Sequence, residues 1–129
     1  AVYGMTSGQM APTTLPGQVT TSSPKGRDVK VHGYPVRMSE ILAGLPGTAY
    51  VVRRSVYDIR TIRQAKKAVV LALKAQLAGL GLSMVEFLSS CPTNWHMTPT
   101  NALTWIKNDM AAYFLLGDYK ITDEVKALK

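Results

Sequence analysis

The feature that most constrains this chain is a helix of 3.6-residue period held between two short β-rich runs. Asp58 stands where a side chain can accept from the free N–H groups of a first helical turn. Ile62, Ala65, Val69, Ala72, Leu73 and Gln76-Leu77 then fall on one face until Gly79 and Gly81 end the period. Ala49-Tyr50-Val51-Val52-Arg53 before it and Leu82-Ser83-Met84-Val85-Glu86-Phe87-Leu88 after it have the length and composition of buried strands. Strand, helix and strand with a crossover of this length predict a parallel pair joined right-handedly, the apolar helix face resting on the sheet. The fold class expected is α/β.

The flanks are read from their breakers. Residues 1–37 are rich in Pro, Gly, Ser and Thr and almost without period, so they are expected to form a long extended segment ordered by other surfaces. Met38 to Leu45 is a short amphipathic helix stopped by Pro46-Gly47. Thr98-Pro99 opens a last helix, a hydroxyl cap followed by a proline whose missing N–H is not needed there, with Leu103, Ile106, Met110 and Tyr113 facing inward. The charged tail from Asp118 to Lys129 is expected to be a peripheral short helix, and Met38, Met84 and Met110 to be core fillers. Two strands alone cannot make a sheet covered on both faces. The expectation is therefore a C-terminal portion of one domain, with 1–37 as loop, 38–117 as the α/β part and 118–129 as tail. Further strands would lie upstream, or the sheet edge would be covered by a partner or a second copy.

Charge narrows the function classes. The net charge is +7, with 15 Lys and Arg against 8 Asp and Glu. The cations gather at Arg53-Arg54 and at Arg60, Arg63, Lys66, Lys67 and Lys74, where they read as the wet face of the long helix or as a surface for an acidic protein partner. No aromatic stacking set is interleaved with them, which argues against nucleic acid. Arg, Lys, Glu or Gly interrupts every apolar run well short of the roughly 18 residues that span a membrane, and no basic segment precedes the apolar start as in a secretory signal. A cytoplasmic location is the expectation.

Two segments carry candidate chemistry. Ala1-Val2-Tyr3-Gly4-Met5-Thr6-Ser7-Gly8-Gln9-Met10-Ala11-Pro12-Thr13-Thr14 runs from an apparent strand end into small and hydroxylated residues, where α/β proteins turn backbone N–H groups toward phosphates. Ser89-Ser90-Cys91-Pro92-Thr93-Asn94-Trp95 follows the second strand at its carboxyl end. Cys91 is the one cysteine, so no internal disulfide can form. Its residue type leaves three readings open: a small buried apolar side chain, a nucleophile paired with His32 or His96, or one of four thiolates of an iron–sulfur cluster.

The first segment resembles the thiamine diphosphate loop of the beta-type subunit of 2-oxoacid:ferredoxin oxidoreductases. Gly26-Arg27-Asp28, His32-Gly33-Tyr34-Pro35, Arg37-Met38-Ser39-Glu40-Ile41-Leu42-Ala43 and Cys91-Pro92-Thr93-Asn94-Trp95 are similar to that family in the same order. The resemblance implies a thiamine diphosphate-binding fold. It also implies oxidative decarboxylation of a 2-oxoacid, with electrons leaving through a 4Fe-4S cluster to ferredoxin and the acyl group passing to coenzyme A. Thiamine diphosphate, Mg2+ and the cluster are the implied cofactors, and the alpha-type subunit is an implied partner beside ferredoxin.

By the same resemblance the Val2 carbonyl completes the Mg2+ shell, while Tyr3, Gly4, Met5 and Thr6 line the diphosphate and the thiazolium. Cys91 becomes the fourth cluster ligand, the other three lying outside this sequence. Ser7 departs from the Gly or Lys usual at its place, and the Lys of such relatives can reach a substrate carboxylate. Gln9 is a secondary cofactor contact. His32 reads as a loop residue, or as a contact for coenzyme A or a partner; His96 and Trp95 read as packing beside the cluster. The Met5-Thr6-x-Gly8-Gln9-Met10-Ala11-Pro12 form of the loop leans toward 2-oxoglutarate as substrate. Taken alone, this piece is expected to be inactive and free of cofactor. The competing reading is a non-catalytic α/β module that docks an acidic partner through its basic surface.

Overall fold

The computed structural model describes residues 2–91 and 95–128. In chain order its elements are β1 (Val2–Tyr3), β2 (Gln9–Met10), α1 (Val29–His32), α2 (Met38–Ala43), β3 (Thr48–Ser55), α3 (Ile59–Leu77), β4 (Leu82–Leu88), α4 (Pro99–Trp105), α5 (Ala111–Tyr113), β5 (Gly117–Ile121) and α6 (Asp123–Lys126). A 3-10 turn occupies Gly4–Thr6, and a π-helical turn at Ile106–Met110 joins α4 to α5. The chain divides into two compact units, Ala1–Arg37 with Ser90–Tyr113 and Met38–Ser89 with Phe114–Lys129.

The second unit contains the expected strand, helix and strand. β3 and β4 pair in parallel, with Arg53 opposite Glu86. α3 begins where Asp58 Oδ1 accepts from Thr61 N at 2.7 Å and Thr61 Oγ1 accepts from Asp58 N at 3.1 Å, two free donors satisfied reciprocally. It stops before Gly79, which takes the left-handed φ of +65°. Ala65, Ala68, Leu71 and Ala75 are buried, and Ala68, Leu71 and Ala75 pack with Ala49, Tyr50 and Val52 of β3.

That inner face corrects the expected one. Ile62, Val69, Leu73 and Leu77 are exposed, Leu77 by 90%, whereas small alanines lie on the sheet. The helix is apolar on two sides, and the period alone does not say which side a sheet with large side chains will take. Alanines let α3 approach closely while Tyr50 and Val52 fill the layer.

The C-terminal tail is a second correction. Instead of a peripheral helix, β5 pairs antiparallel with β3 to give the order β4-β3-β5, and Val125 of α6 is fully buried in the same core. In the first unit α4 starts as expected, Thr98 Oγ1 accepting from Asn101 N at 3.3 Å. Ile106 and Met110 are buried, but Ala102 rather than Leu103 takes the inward place before the π turn. Of the three methionines expected as fillers, Met110 is buried, Met84 is half-buried and Met38 is exposed.

Arg53 does not stand in water with the other cations, as its sequence context suggested, but is fully buried. Nε donates to Glu86 Oε2 at 2.8 Å, Nη2 to Glu40 Oε2 at 2.5 Å, and Nη1 to Glu40 Oε1 at 3.1 Å, Tyr119 Oη at 2.5 Å and the Leu115 carbonyl at 3.3 Å. The guanidinium also stacks over the rings of Phe114 and Tyr119, 5.2 and 4.9 Å from their centroids. One side chain on β3 thus fastens β4, β5 and α2. Ser39 of α2 adds a hydrogen bond to Glu86. Burial opposes the charge, but the hydrogen bonds to Glu40 and the Glu86 carboxylate outweigh it and hold Arg53 above its ordinary value. Desolvation likewise works against ionised Glu40, and the Arg53 guanidinium prevails, so its carboxyl titrates below the usual 4.5.

Removing Arg53 leaves two carboxylates without their cation, so Arg53→Met is expected to destabilise the fold by about 3–5 kcal/mol, read as a lower urea midpoint. Because the Glu40 pKa is depressed by folding, its contribution is complete above its unfolded value and is lost as pH falls through the folded one. The urea midpoint should therefore drop as pH falls below 4.5, and Glu40→Gln should flatten that drop. An equal drop in both proteins would contradict the pairing.

Candidate functional site

The N-terminal segment closes on itself. β1 and β2 pair antiparallel, Val2 opposite Met10 and Tyr3 opposite Gln9, so the loop is closed into a hairpin. Two consecutive left-handed residues, Ser7 at φ +82° and Gly8 at φ +76°, turn the chain back. Gly8 N donates to the Tyr3 carbonyl at 2.9 Å, and Thr6 Oγ1 donates to Gln9 Oε1 at 2.9 Å. Gly4 is buried and Val2 half-buried; Tyr3, Met5 and Thr6 are exposed, Met5 by 98%.

A right-handed turn at Gly4–Thr6 followed by left-handed Ser7 is a backbone sequence that turns successive N–H groups to one side, the form of an anion cradle. Gln9, read from sequence as a secondary contact, accepts from the Thr6 hydroxyl through Oε1.

Arg27 fixes the rest of this segment. It is buried and donates to six backbone carbonyls. Nη1 reaches Ala11, Pro12 and Thr14 at 3.0–3.1 Å, Nη2 reaches His32 and Tyr34 at 3.2 and 3.1 Å, and Nε reaches Gly33 at 2.9 Å. A rigid planar fork with five donors does what a lysine point charge cannot: it ties residues 11–14 to residues 32–34. Beside it, Gly17 N donates to the Arg27 carbonyl at 2.9 Å, and a Cβ at Gly26 would lie 2.5 Å from the Gly17 oxygen. Gly26 also has φ +85°, so the crossing admits only glycine. His32 is part of the same local structure, its Nδ1 accepting from Asp28 N at 3.1 Å.

Cys91 lies three residues beyond β4 as a half-buried free thiol. Pro92, Thr93 and Asn94, which carried part of the sequence resemblance, lie outside the described residues. Trp95 stacks edge-on against Trp105, centroids 4.7 Å apart, and its Nε1 is buried without a hydrogen-bond partner. Both indoles, with Leu15, Gln18, Met97 and Asp109, line a cleft of about 290 Å³. Asp109 belongs to the π turn, a feature the sequence gives no sign of and one frequent at functional sites. Among the described residues no group of three or more His, Cys, Asp or Glu side chains converges. His96 is exposed with φ +52°.

Known proteins with similar sequences fall into one group. Subunit VorA of the ketoisovalerate oxidoreductase of Methanothermobacter marburgensis is 44% identical over 119 residues, 92% of this chain and 25% of the relative. Subunit KorB of the 2-oxoglutarate synthase of Archaeoglobus fulgidus is 35% identical over 109 residues, 84% of this chain and 36% of the relative. The beta subunit of a 2-oxoacid:ferredoxin oxidoreductase of Saccharolobus solfataricus is 32% identical over 92 residues, 71% of this chain and 26% of the relative. The chain thus spans 25–36% of the length of these curated relatives. No family model matches it, and no solved structure does.

Substituting Arg27→Lys removes the fork and leaves several of the six carbonyls short of a donor. Limited proteolysis is expected to cut within residues 11–34 at least about tenfold faster than in the parent, the local opening free energy having fallen by more than one hydrogen bond's worth. An unchanged cleavage rate would contradict this role for Arg27.

Proposed function

Taking as premise that this chain is homologous to the subunits of 2-oxoacid:ferredoxin oxidoreductases, we propose that it serves in the oxidative decarboxylation of a 2-oxoacid, with ferredoxin as electron acceptor and coenzyme A as acyl acceptor. The observation that carries the reading is the 44% identity over 119 residues, 92% of this chain. In this reading the residues have distinct tasks. The turn from Gly4 to Ser7 would line a diphosphate, and the Val2 carbonyl would offer a hard oxygen to Mg2+. Gly4, buried and without a side chain, allows close backbone approach, while Tyr3 and Met5 supply apolar and polarizable walls. Thr6, whose hydroxyl donates to Gln9 here, would offer that proton to a diphosphate oxygen.

Thiamine diphosphate, when bound, would supply the stabilisation of negative charge that decarboxylation needs. Cys91 would give one thiolate of four to a 4Fe-4S cluster, the remaining three coming from outside this sequence. Trp95, four residues along the chain from Cys91, would limit water beside that thiolate, lowering the local dielectric on which a cluster potential depends.

For the substrate we propose a branched-chain 2-oxoacid of the ketoisovalerate type. The loop pattern leaned toward 2-oxoglutarate, but identity to the ketoisovalerate subunit exceeds that to the 2-oxoglutarate subunit, 44% against 35%. Chemistry points the same way. The second carboxylate of 2-oxoglutarate calls for a cation, and the loop from Tyr3 to Met10 has none, Ser7 standing where relatives can carry Lys. An apolar branched side chain asks only for apolar walls.

Steady-state assays of the purified enzyme, with ferredoxin reduction as readout, are expected to give kcat/KM for ketoisovalerate at least about tenfold above that for 2-oxoglutarate, the discrimination that one unpaired carboxylate imposes. The reverse preference would overturn the substrate assignment. No coenzyme A-dependent ferredoxin reduction with either acid would overturn the enzymatic reading itself.

A further inference from the structure

The hairpin of β1 and β2 is too short to order itself. Each strand has two residues, and even a two-stranded ribbon of ordinary length is marginal in water. Bonds to a later segment supply what is lacking. One edge of β2 meets β1. Beyond it, Thr21 N donates to the Gly8 carbonyl at 3.0 Å, and Met10 N donates to Ser22 Oγ at 2.9 Å, a contact spanning 12 residues of chain. These two bonds bracket Gln9, whose Oε1 accepts from the Thr6 hydroxyl. Thr21-Ser22 thus takes the place of a third strand.

The clasp is itself held firmly. Thr20 N donates to the Ser23 carbonyl and Ser23 N to the Thr20 carbonyl, both at 3.2 Å, and the two side-chain hydroxyls of these buried residues lie 2.7 Å apart. Gly26 N donates to the Ser23 carbonyl at 2.9 Å, which joins the clasp to the Gly26 crossing and to the buried Arg27. A continuous set of bonds therefore runs from the Arg27 fork through the turn at 20–23 to β2. Its link to Met10 is a single exposed hydroxyl, so removing that hydroxyl deletes one hydrogen bond and opens no cavity.

We propose that Ser22 is a positioning residue for thiamine diphosphate. By accepting from Met10 N it fixes β2. Through the pairing of Met10 with Val2 it fixes the Val2 carbonyl and the turn from Gly4 to Ser7 before the cofactor arrives. The inference rests on the proposed binding of thiamine diphosphate and Mg2+ at this hairpin. Ser22 acts through Met10 and not on the diphosphate, lowering the ordering cost of binding, so its effect falls on affinity and not on the chemistry.

The test compares the purified enzyme with its Ser22→Ala, Ser22→Thr and Thr21→Ala variants. In cofactor-free enzyme, hydrogen exchange in peptides covering residues 2–10 is expected to quicken about fivefold with Ser22→Ala, one net hydrogen bond having left the opening equilibrium. The dissociation constant for thiamine diphosphate with Mg2+, read by equilibrium dialysis against stripped enzyme, should rise by about the same factor, while kcat at saturating cofactor falls by less than about twofold. Ser22→Thr keeps the acceptor oxygen and should restore both readings; Thr21→Ala keeps the backbone donor and should change neither. Unchanged exchange or unchanged affinity in Ser22→Ala overturns the proposal, as does a loss that Ser22→Thr fails to restore, that Thr21→Ala reproduces, or that appears as strongly in kcat. A parent enzyme that binds no thiamine diphosphate overturns the cofactor reading itself, an outcome distinct from a parent that binds it and a Ser22→Ala variant that binds it equally well.

Discussion

The α/β unit depends on one buried cation. Arg53 lies in the middle strand, where a β-rich run would ordinarily hold a valine, and it meets a carboxylate from α2, a carboxylate from β4, a phenol from β5 and a carbonyl just before β5. A charge carried into an interior is tolerable only when paired and fully hydrogen-bonded, so every one of those groups is constrained by it. The register that sets Arg53 opposite Glu86 is the register that sets Tyr50 and Val52 on the face toward α3. A slip of one residue would turn the arginine into the apolar core and the valine out. The pair therefore selects one sheet alignment as well as stabilising it.

The first unit solves a different problem with the same residue type. Its long segment has few apolar side chains to bury, and a run of backbone without regular partners leaves carbonyls to satisfy. Arg27 satisfies six of them at once and needs no carboxylate partner, because carbonyl dipoles converge on it. The hairpin with the candidate cofactor contacts and the residues from Ala11 to Tyr34 belong to one ordered unit. Preorganised N–H groups are what an anion cradle requires, since they give up little entropy on binding.

The strand–helix–strand unit was legible because its signals are local: the Asp58 cap, the helical period and the glycines after it each act within a few residues. The helix beginning at Thr98 was legible for the same reason. What escaped were choices decided by distant partners. The buried side of α3 depends on which layer has room for large side chains, and β5 exists only because β3 offers an edge to Gly117–Ile121. Arg53 and Arg27 look like ordinary surface cations until Glu40 and Glu86, or six carbonyls, are brought to them. A period-2 reading of β3 would have found Arg53 on the same face as Val51, which is the one sequence sign of its burial. The loop from Tyr3 to Thr6 was not legible as a hairpin, since the pairing of Val2 with Met10 is made across the turn.

The central proposal is that this chain serves in a redox enzyme in which Cys91 holds iron, and electron paramagnetic resonance of the anaerobically reduced enzyme tests it most directly. With Cys91→Ser the cluster signal is expected to vanish or to change its g-values and midpoint potential, because a thiolate ligand has become an alkoxide or been lost, while Ser90→Ala leaves the spectrum as it was. A spectrum identical in parent and Cys91→Ser proteins, or no cluster signal in the parent, would contradict the account.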